Sequence, residues 1–182
     1  MIPALYYIIK ALTQLFLLVV LLRFWLPWLR ADFRNPVSQA VLRLTAPLIV
    51  PLRRFLPALG RLDTATVLVL FVLQYLVVIV LLALVGRMAD PLFIAIVTVL
   101  ELAILSLNLF LFAILIMVIL SWIAPHTYNP ASAFVAGIAE PVLRPFRRLV
   151  PPLGGFDISP IFAIILLKAC EIMLQTWKPI PF

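Results

Sequence analysis

At 182 residues the chain has room for one compact domain, yet 66% of it is apolar and only 12% is charged, roughly half the charged share of a soluble domain. So few polar groups cannot cover a water-facing surface, which excludes an ordinary soluble enzyme or binding module. The net charge of +7 would point to nucleic acid in a soluble protein. Here most arginines fall between apolar runs, where they set topology and meet anionic head groups, so no nucleic-acid partner is expected.

The first apolar run, about Leu5–Trp28, predicts a membrane-spanning helix. Its stretch from Ala11 to Leu22 runs on past Arg23 to Leu29 with no small-residue cleavage pattern, so it reads as a retained span rather than a signal peptide. Arg23 is close enough to the end to snorkel to the interface. A proline- and arginine-rich connection follows, and then a second span at about Thr64–Val85. The stretch Gly86 to Pro91 is a tight turn that makes the second and third spans antiparallel neighbours. The third run, about Leu92–Ile123, is longer than a bilayer core requires and should tilt or project. After a second proline- and arginine-rich connection comes a fourth span at about Ile158–Trp177. Trp25, Trp28, Trp122 and Trp177 sit near predicted ends, where indole rings favour the interface.

The two connections repeat each other. A shift of 94 positions lays Trp28 on Trp122, Asn35-Pro36 on Asn129-Pro130, Pro47 on Pro141, Pro51 on Pro145 and Arg53-Arg54 on Arg147-Arg148. The same shift lays Pro57 on Pro151, Gly60 on Gly154 and Asp63 on Asp157. That register is a direct duplication. The predicted fold is an all-α membrane protein of four transmembrane helices, built as two tandem helix–interfacial amphipathic helix–helix repeats, 1–88 and 89–182. Each repeat holds two spans, so both copies keep the same orientation, related by an axis along the bilayer normal.

Within each connection Asn35 and Asn129 are N-cap candidates followed by Pro36 and Pro130 at the first helical position. The short helix they start should reach about Thr45 or Ala139 and break at Pro47 or Pro141. A second short segment from Pro51 or Pro145 should end at Pro57 or Pro151 and turn at Gly60 or Gly154. Asp63 and Asp157 are expected to cap the spans that follow. Both connections read as interfacial helices or as shallow re-entrant segments, since proline-freed backbone groups are costly in lipid. Six arginines in the first connection (Arg30, Arg34, Arg43, Arg53, Arg54, Arg61) and three in the second (Arg144, Arg147, Arg148) predict that both face the cytoplasm. The short turn and both termini would then lie outside.

The string Asn-Pro, Glu-Pro, Arg-Pro-Phe-Arg-Arg, Pro, Gly-Gly, Asp, Ser-Pro in the second copy resembles the YggT family, small bacterial membrane proteins with relatives in cyanobacteria and plastids. The resemblance covers essentially the whole chain. The first copy departs from it: Arg61 follows Gly60 in place of a second glycine, and Thr66 stands where Pro160 stands. Family roles in osmotic stress tolerance, cell division and, in plastids, cofactor attachment to a cytochrome are what the resemblance implies. They suit a helper that organises other membrane proteins better than an enzyme.

Polar side chains inside the spans are functional candidates because their burial in lipid is costly. They are Lys10, Gln14, Gln74, Glu101, Asn108, Lys168 and Glu171. The repeat pairs Gln14 with Asn108 and Gln74 with Lys168. Lys168 and Glu171, three apart on one helix, should form an ion pair with Asn108 as a third partner, and Lys10 should pair with Glu101. The plainest reading is that these groups glue the helices together; the alternatives are an ion path near the pseudo-two-fold axis and a site for a partner's transmembrane helix. Arg53, Arg54, Arg144, Arg147 and Arg148 are candidates for anionic lipid or a docked partner.

Cys170 lies in an apolar run and reads as a small buried hydrophobe. His126, the single histidine, is a weak haem-ligand candidate, since its repeat equivalent is Asp32. No nucleophile–base pair, phosphate loop or metal-ligand spacing is present in the sequence, so neither a metal nor a resident cofactor is expected. The expected function is a non-enzymatic scaffold or assembly factor of the bacterial cytoplasmic membrane, bound to anionic lipid and a membrane-protein partner. A homo-oligomer fits this reading. A small ion-conducting protein for osmotic balance and a haem-insertion helper are the alternatives.

Overall fold

The structure, a computed structural model, describes residues 2–29, 32–123, 129–150 and 157–178. Helices account for nearly all of them: α1 (Ile2–Trp25), α2 (Pro36–Arg53), α3 (Thr64–Leu84), α4 (Pro91–Ile123), α5 (Pro130–Leu149) and α6 (Ser159–Thr176). Four of these, α1, α3, α4 and α6, are long and apolar enough to cross a membrane. At 33 residues, α4 is about 50 Å long and overshoots a hydrocarbon core of about 30 Å.

The packing follows the repeat. Helix α1 packs on α3 as α4 packs on α6, and the short turn brings α3 against α4. That turn closes α3 chemically. Gly86 has a φ of +68°, and the amides of Arg87 and Gly86 donate to the carbonyls of Leu82 and Ala83, a Schellman stop. Asp90 then accepts the Leu92 amide at 3.0 Å and starts α4. The remaining helices, α2 and α5, gather on the opposite face, each packed on the two spans of its own repeat and on each other.

Asn35 caps α2 by accepting the Val37 amide at 2.8 Å, and Asn129 caps α5 by accepting the Ser132 amide at 2.7 Å. The expected proline breaks do not occur. Helix α2 runs through Pro47 and Pro51, and α5 runs through Pro141 and Pro145. All four prolines lie on the exposed side, while Ser38, Val41, Thr45 and Ile49 line the buried stripe of α2. The helical bonds the prolines remove are therefore lost on an outward face, where water or head groups can satisfy the freed carbonyls. Gly60 does turn the chain, with φ +63°, and paired backbone bonds between Leu59 and Leu62 close that turn. Pro57 follows α2 and its carbonyl accepts the Thr64 hydroxyl at 2.9 Å. Pro151, Gly154, Arg30 and His126 lie outside the described residues.

One apolar core joins the six helices on the α2/α5 side: Leu17 and Val20 from α1, Ile49 from α2, Val69 from α3, Ile114 from α4, Leu143 from α5 and Ala163 from α6 are all buried in it. Trp25 belongs to this core rather than to the interface. Its ring sits edge-on to Phe110 at 4.9 Å, and its indole N–H reaches the Ser106 hydroxyl at 3.4 Å. Trp28, Trp122 and Trp177 are exposed.

Candidate functional site

Two polar regions stand out, one at each end of the bundle. At the α2/α5 end, each repeat ties its surface helix to the start of its second span through an arginine and an aspartate ten residues apart. Arg53 donates to Asp63 at 2.5 and 3.3 Å, and its repeat equivalent Arg147 donates to Asp157 at 2.7 Å. Asp63 does not cap α3 with its side chain, because a guanidinium makes a stronger, charge-assisted bond with the carboxylate. Asp157 keeps one helix amide, that of Ser159, at 2.9 Å.

The surroundings of the two clamps differ in sign. Around Asp63 a second cation gathers: Arg23 is only 5% exposed, lies 3.9 Å from Asp63 and donates to the Thr45 hydroxyl at 2.8 Å and the Leu42 carbonyl at 3.2 Å. Thr66 adds a hydroxyl bond to Asp63 at 2.6 Å. Arg23 thus turns inward instead of snorkelling. In the second repeat the positions of Arg23, Thr45 and Thr66 are held by Met117, Ala139 and Pro160, and the added charge is an anion: Glu140 pairs with Arg147. One clamp is an acid between two bases, the other a base between two acids.

These contacts set the titration of the carboxylates. Burial pushes both carboxyls up, but this is outweighed. Bonds from Arg53 and Thr66 with the charges of Arg53 and Arg23 hold Asp63 below the usual carboxylate range, and bonds from Ser159 and Arg147 do the same for Asp157. Arg147, partly buried but bonded to Asp157 and Glu140, is held above the ordinary arginine value. A carboxylate depressed in the folded state adds stability that is complete above its unfolded value, near 3.9, and disappears as pH falls through the folded value. Thermal unfolding of the detergent-solubilised protein should therefore hold steady from pH 7 to about 5 and drop below about pH 4. A variant carrying Asp63→Asn and Asp157→Asn should show a shallower acid drop.

The surface helices α2 and α5 and the start of the loop after α2 carry the exposed cations Arg43, Arg53, Arg54, Arg144, Arg147 and Arg148, and Arg34 and Arg61 are exposed in the flanking segments. Arg54, Arg144 and Arg148 form no ion pair among the described residues, which leaves them available to head groups or a partner. Arg53 and Arg147, also candidates for that role, are committed to the clamps.

The other polar region lies between α1, α4 and α6, toward the α3–α4 turn. It is a cleft of about 470 Å³ lined by Lys10 and Gln14 from α1, Glu101 and Asn108 from α4, Glu171 and Gln175 from α6, and Lys178. Of its two expected ion pairs, Lys168–Glu171 forms and Lys10–Glu101 does not. Glu101 takes Lys178 at 2.6 Å in place of Lys10, because the chain after α6 brings Lys178 over the α4 face. Glu171 takes Lys168 at 2.8 Å, and its third partner is Gln175 at 2.8 Å rather than Asn108, since Gln175 lies one turn further along the same helix. Lys168 itself points out of the bundle, 54% exposed. Gln74, its repeat equivalent, is buried beside a much smaller void shared with Tyr6, Lys10 and Gln14. Sequence reading missed Tyr6, whose hydroxyl is buried there without a partner, and Arg23, Thr45, Glu140, Gln175 and Lys178. The available signal for Arg23 was the mismatch with Met117 in an otherwise close repeat.

The CCB3/YggT family model matches residues 2–85 and 94–177, once for each repeat. The chain belongs to the CCB3/YggT family. A Pseudomonas aeruginosa relative is 43% identical over 170 residues, covering 92% of this chain and 86% of its own. Escherichia coli K12 YggT is 38% identical over 164 residues, covering 88% and 84%. The ycf19 protein of Guillardia theta is 41% identical over 63 residues, covering 34% of this chain and 69% of its own. No solved structure matches. With its CCB3/YggT membership and four helices fit to cross a bilayer, this is a multi-pass membrane protein.

Proposed function

We propose that this CCB3/YggT protein is a non-enzymatic scaffold or assembly factor of the bacterial inner membrane. Its α2/α5 face lies on the cytoplasmic side and holds anionic lipid and a membrane-protein partner. The observation that carries the reading is the division of labour among the arginines. Arg53 and Arg147 fasten α2 and α5 to the spans, so Arg54, Arg144 and Arg148 are presented at fixed positions on a rigid platform. Each such charge near an anionic surface contributes about 1 kcal/mol, and a fixed array loses less entropy on docking than a flexible basic tail. The arginine excess on this side supports the cytoplasmic placement.

The test is a comparison of membrane proteins that co-purify, after mild solubilisation, with the native chain and with the Arg54→Gln/Arg144→Gln/Arg148→Gln variant. A defined set should be lost from the variant while its unfolding temperature stays within a few degrees, because exposed charges are worth little to stability. An unchanged set would overturn the reading. Orientation is read from a cysteine placed at position 54 in a Cys170→Ala background. It should react with an impermeant maleimide only after the cells are opened.

A small transport protein is the second reading, favoured by the cleft. The cleft, however, meets the apolar core about one turn below Gln14, where Leu17, Val20, Leu109 and Phe110 are packed. An ion route would need that core to open. Flux into liposomes that disappears in a folded Lys168→Leu/Glu171→Leu variant would promote this reading over the scaffold.

A further inference from the structure

The cleft on the opposite membrane face from the arginine platform has features that neither role uses. Its back wall is α4 and its side walls are α1 and α6, which touch α4 but not each other. The internal symmetry makes this gap notable. The rotation that exchanges the repeats carries the α3–α4 contact onto α1–α6, and only the first of these is made among the described residues. The cleft therefore opens sideways between α1 and α6, past exposed apolar side chains such as Leu12 and Ile172, toward the lipid.

The two side walls present groups of opposite sign, an unpaired ammonium on α1 and, on α6, a carboxylate bonded to Lys168 on its own helix. On α1, Lys10 forms no ion pair among the described residues; its ammonium lies 6.0 Å from the ring of Tyr6 and shares the cleft with Glu101, which is taken by Lys178. An ammonium beside a bilayer without a counter-ion is costly, so this wall calls for an anion. On α6, Glu171 is buried and receives one bond from Lys168 and one from Gln175. A carboxylate offers about four acceptor positions, so it can take further donors. Gln14 and Asn108 line the space between. The remaining charges, Glu101 and Lys178, neutralise each other.

We propose that this cleft is a binding site for the head group of a zwitterionic phospholipid with a primary ammonium, of the ethanolamine type. Its phosphate sits on Lys10, its ammonium on Glu171, and its chains leave through the gap between α1 and α6. The cleft volume of about 470 Å³ falls in the range of small-ligand sites. It equals only about one turn of helix with its side chains, so a partner's crossing helix would remain mostly outside it. The lateral opening favours an amphiphile over a free solute.

Native mass spectrometry of delipidated protein, titrated separately with phosphatidylethanolamine, phosphatidylcholine and phosphatidylglycerol, tests the assignment. Ethanolamine lipid should bind at least roughly tenfold more tightly than either of the others, the scale of one lost charge-assisted hydrogen bond. Glu171→Gln should remove that preference, and Lys10→Gln, which takes away the phosphate contact common to the three lipids, should weaken the binding of all three. Ile172→Trp, which fills the mouth without touching a charge, should lower occupancy while the unfolding temperature of the empty protein is kept. Equal binding of the choline lipid would overturn the proposal, because Glu171 would then not be reading ammonium protons. Tighter binding of phosphatidylglycerol, strengthened by Glu171→Gln, would replace it with a plain anion site. Displacement of the lipid by an equal concentration of phosphoethanolamine would overturn the lipid source in favour of a soluble zwitterion. Unaltered binding in Ile172→Trp would place the lipid elsewhere.

Discussion

Replacing Asp63 with alanine should cost the protein about 3–5 kcal/mol, the usual penalty for stranding a buried charge. Arg23 is the reason. Its guanidinium is enclosed by α1, α2 and α3, its Nε has no hydrogen-bond partner, and Asp63 is its only ion-pair partner among the described residues. With the carboxylate gone, Arg23 and Arg53 would repel each other in a poorly hydrated seam. The repeat supplies the control. Asp157→Ala should cost less than about 1 kcal/mol, since the Arg147–Asp157 pair is surface-accessible on both sides and such pairs contribute little. A second control follows from the sequence of copy two, where methionine occupies the place of Arg23. Arg23→Met combined with Asp63→Ala should recover much of the loss, because a well-packed apolar group can replace a buried ion pair at little cost. Unfolding in detergent of the native chain, Arg23→Met, Asp63→Ala and the combined variant forms a double-mutant cycle, and additive effects would show that the two residues do not couple.

Glu101→Leu is expected to destabilise the chain by a similar amount, about 3–5 kcal/mol, whereas Lys10→Leu, which breaks no ion pair, should leave stability unchanged or raise it. The Glu101–Lys178 pair is nearly enclosed, with side-chain exposures of 10% and 11%, and it fastens the chain end beyond α6 to the middle of α4. Removal of Glu101 leaves the Lys178 ammonium unpaired in that position. Lys10 shares the cleft with Glu101 but makes no ion pair with it. Equal sensitivity of the two sites in thermal unfolding would mean that Lys10, not Lys178, is the working partner.

The spans, the duplication and the caps at Asn35 and Asn129 were legible in the chain because each rests on local information: apolar run length, register, and a side chain two or three residues from its target. The prolines misled for an equally physical reason. Pro47 forbids one hydrogen bond, but whether that ends a helix depends on which side the missing bond faces, and this is decided by the burial of Val41, Thr45 and Ile49 against neighbours. The ion pairs diverged where partners are distant in sequence. Glu101 had two lysines within reach of its end of the bundle, and only the position of α6 against α4 selects Lys178. For Arg23 the residue type alone suited an interfacial position. What draws it inward is the coincidence of Thr45 and Leu42 from α2 with Asp63, the residue just before α3.

The amide of Asn35 donates to the carbonyl of Pro130 at 2.6 Å, so the two surface helices meet at their starting ends, near the axis between the repeats. A protein made of one such repeat could close the same junction only by pairing with its twin, and every substitution would then appear on both sides at once. Joining the copies in one polypeptide lifts that obligation. One side is free to accept a buried arginine and the other a methionine, so a single molecule can present two unlike halves to whatever approaches it from the membrane plane.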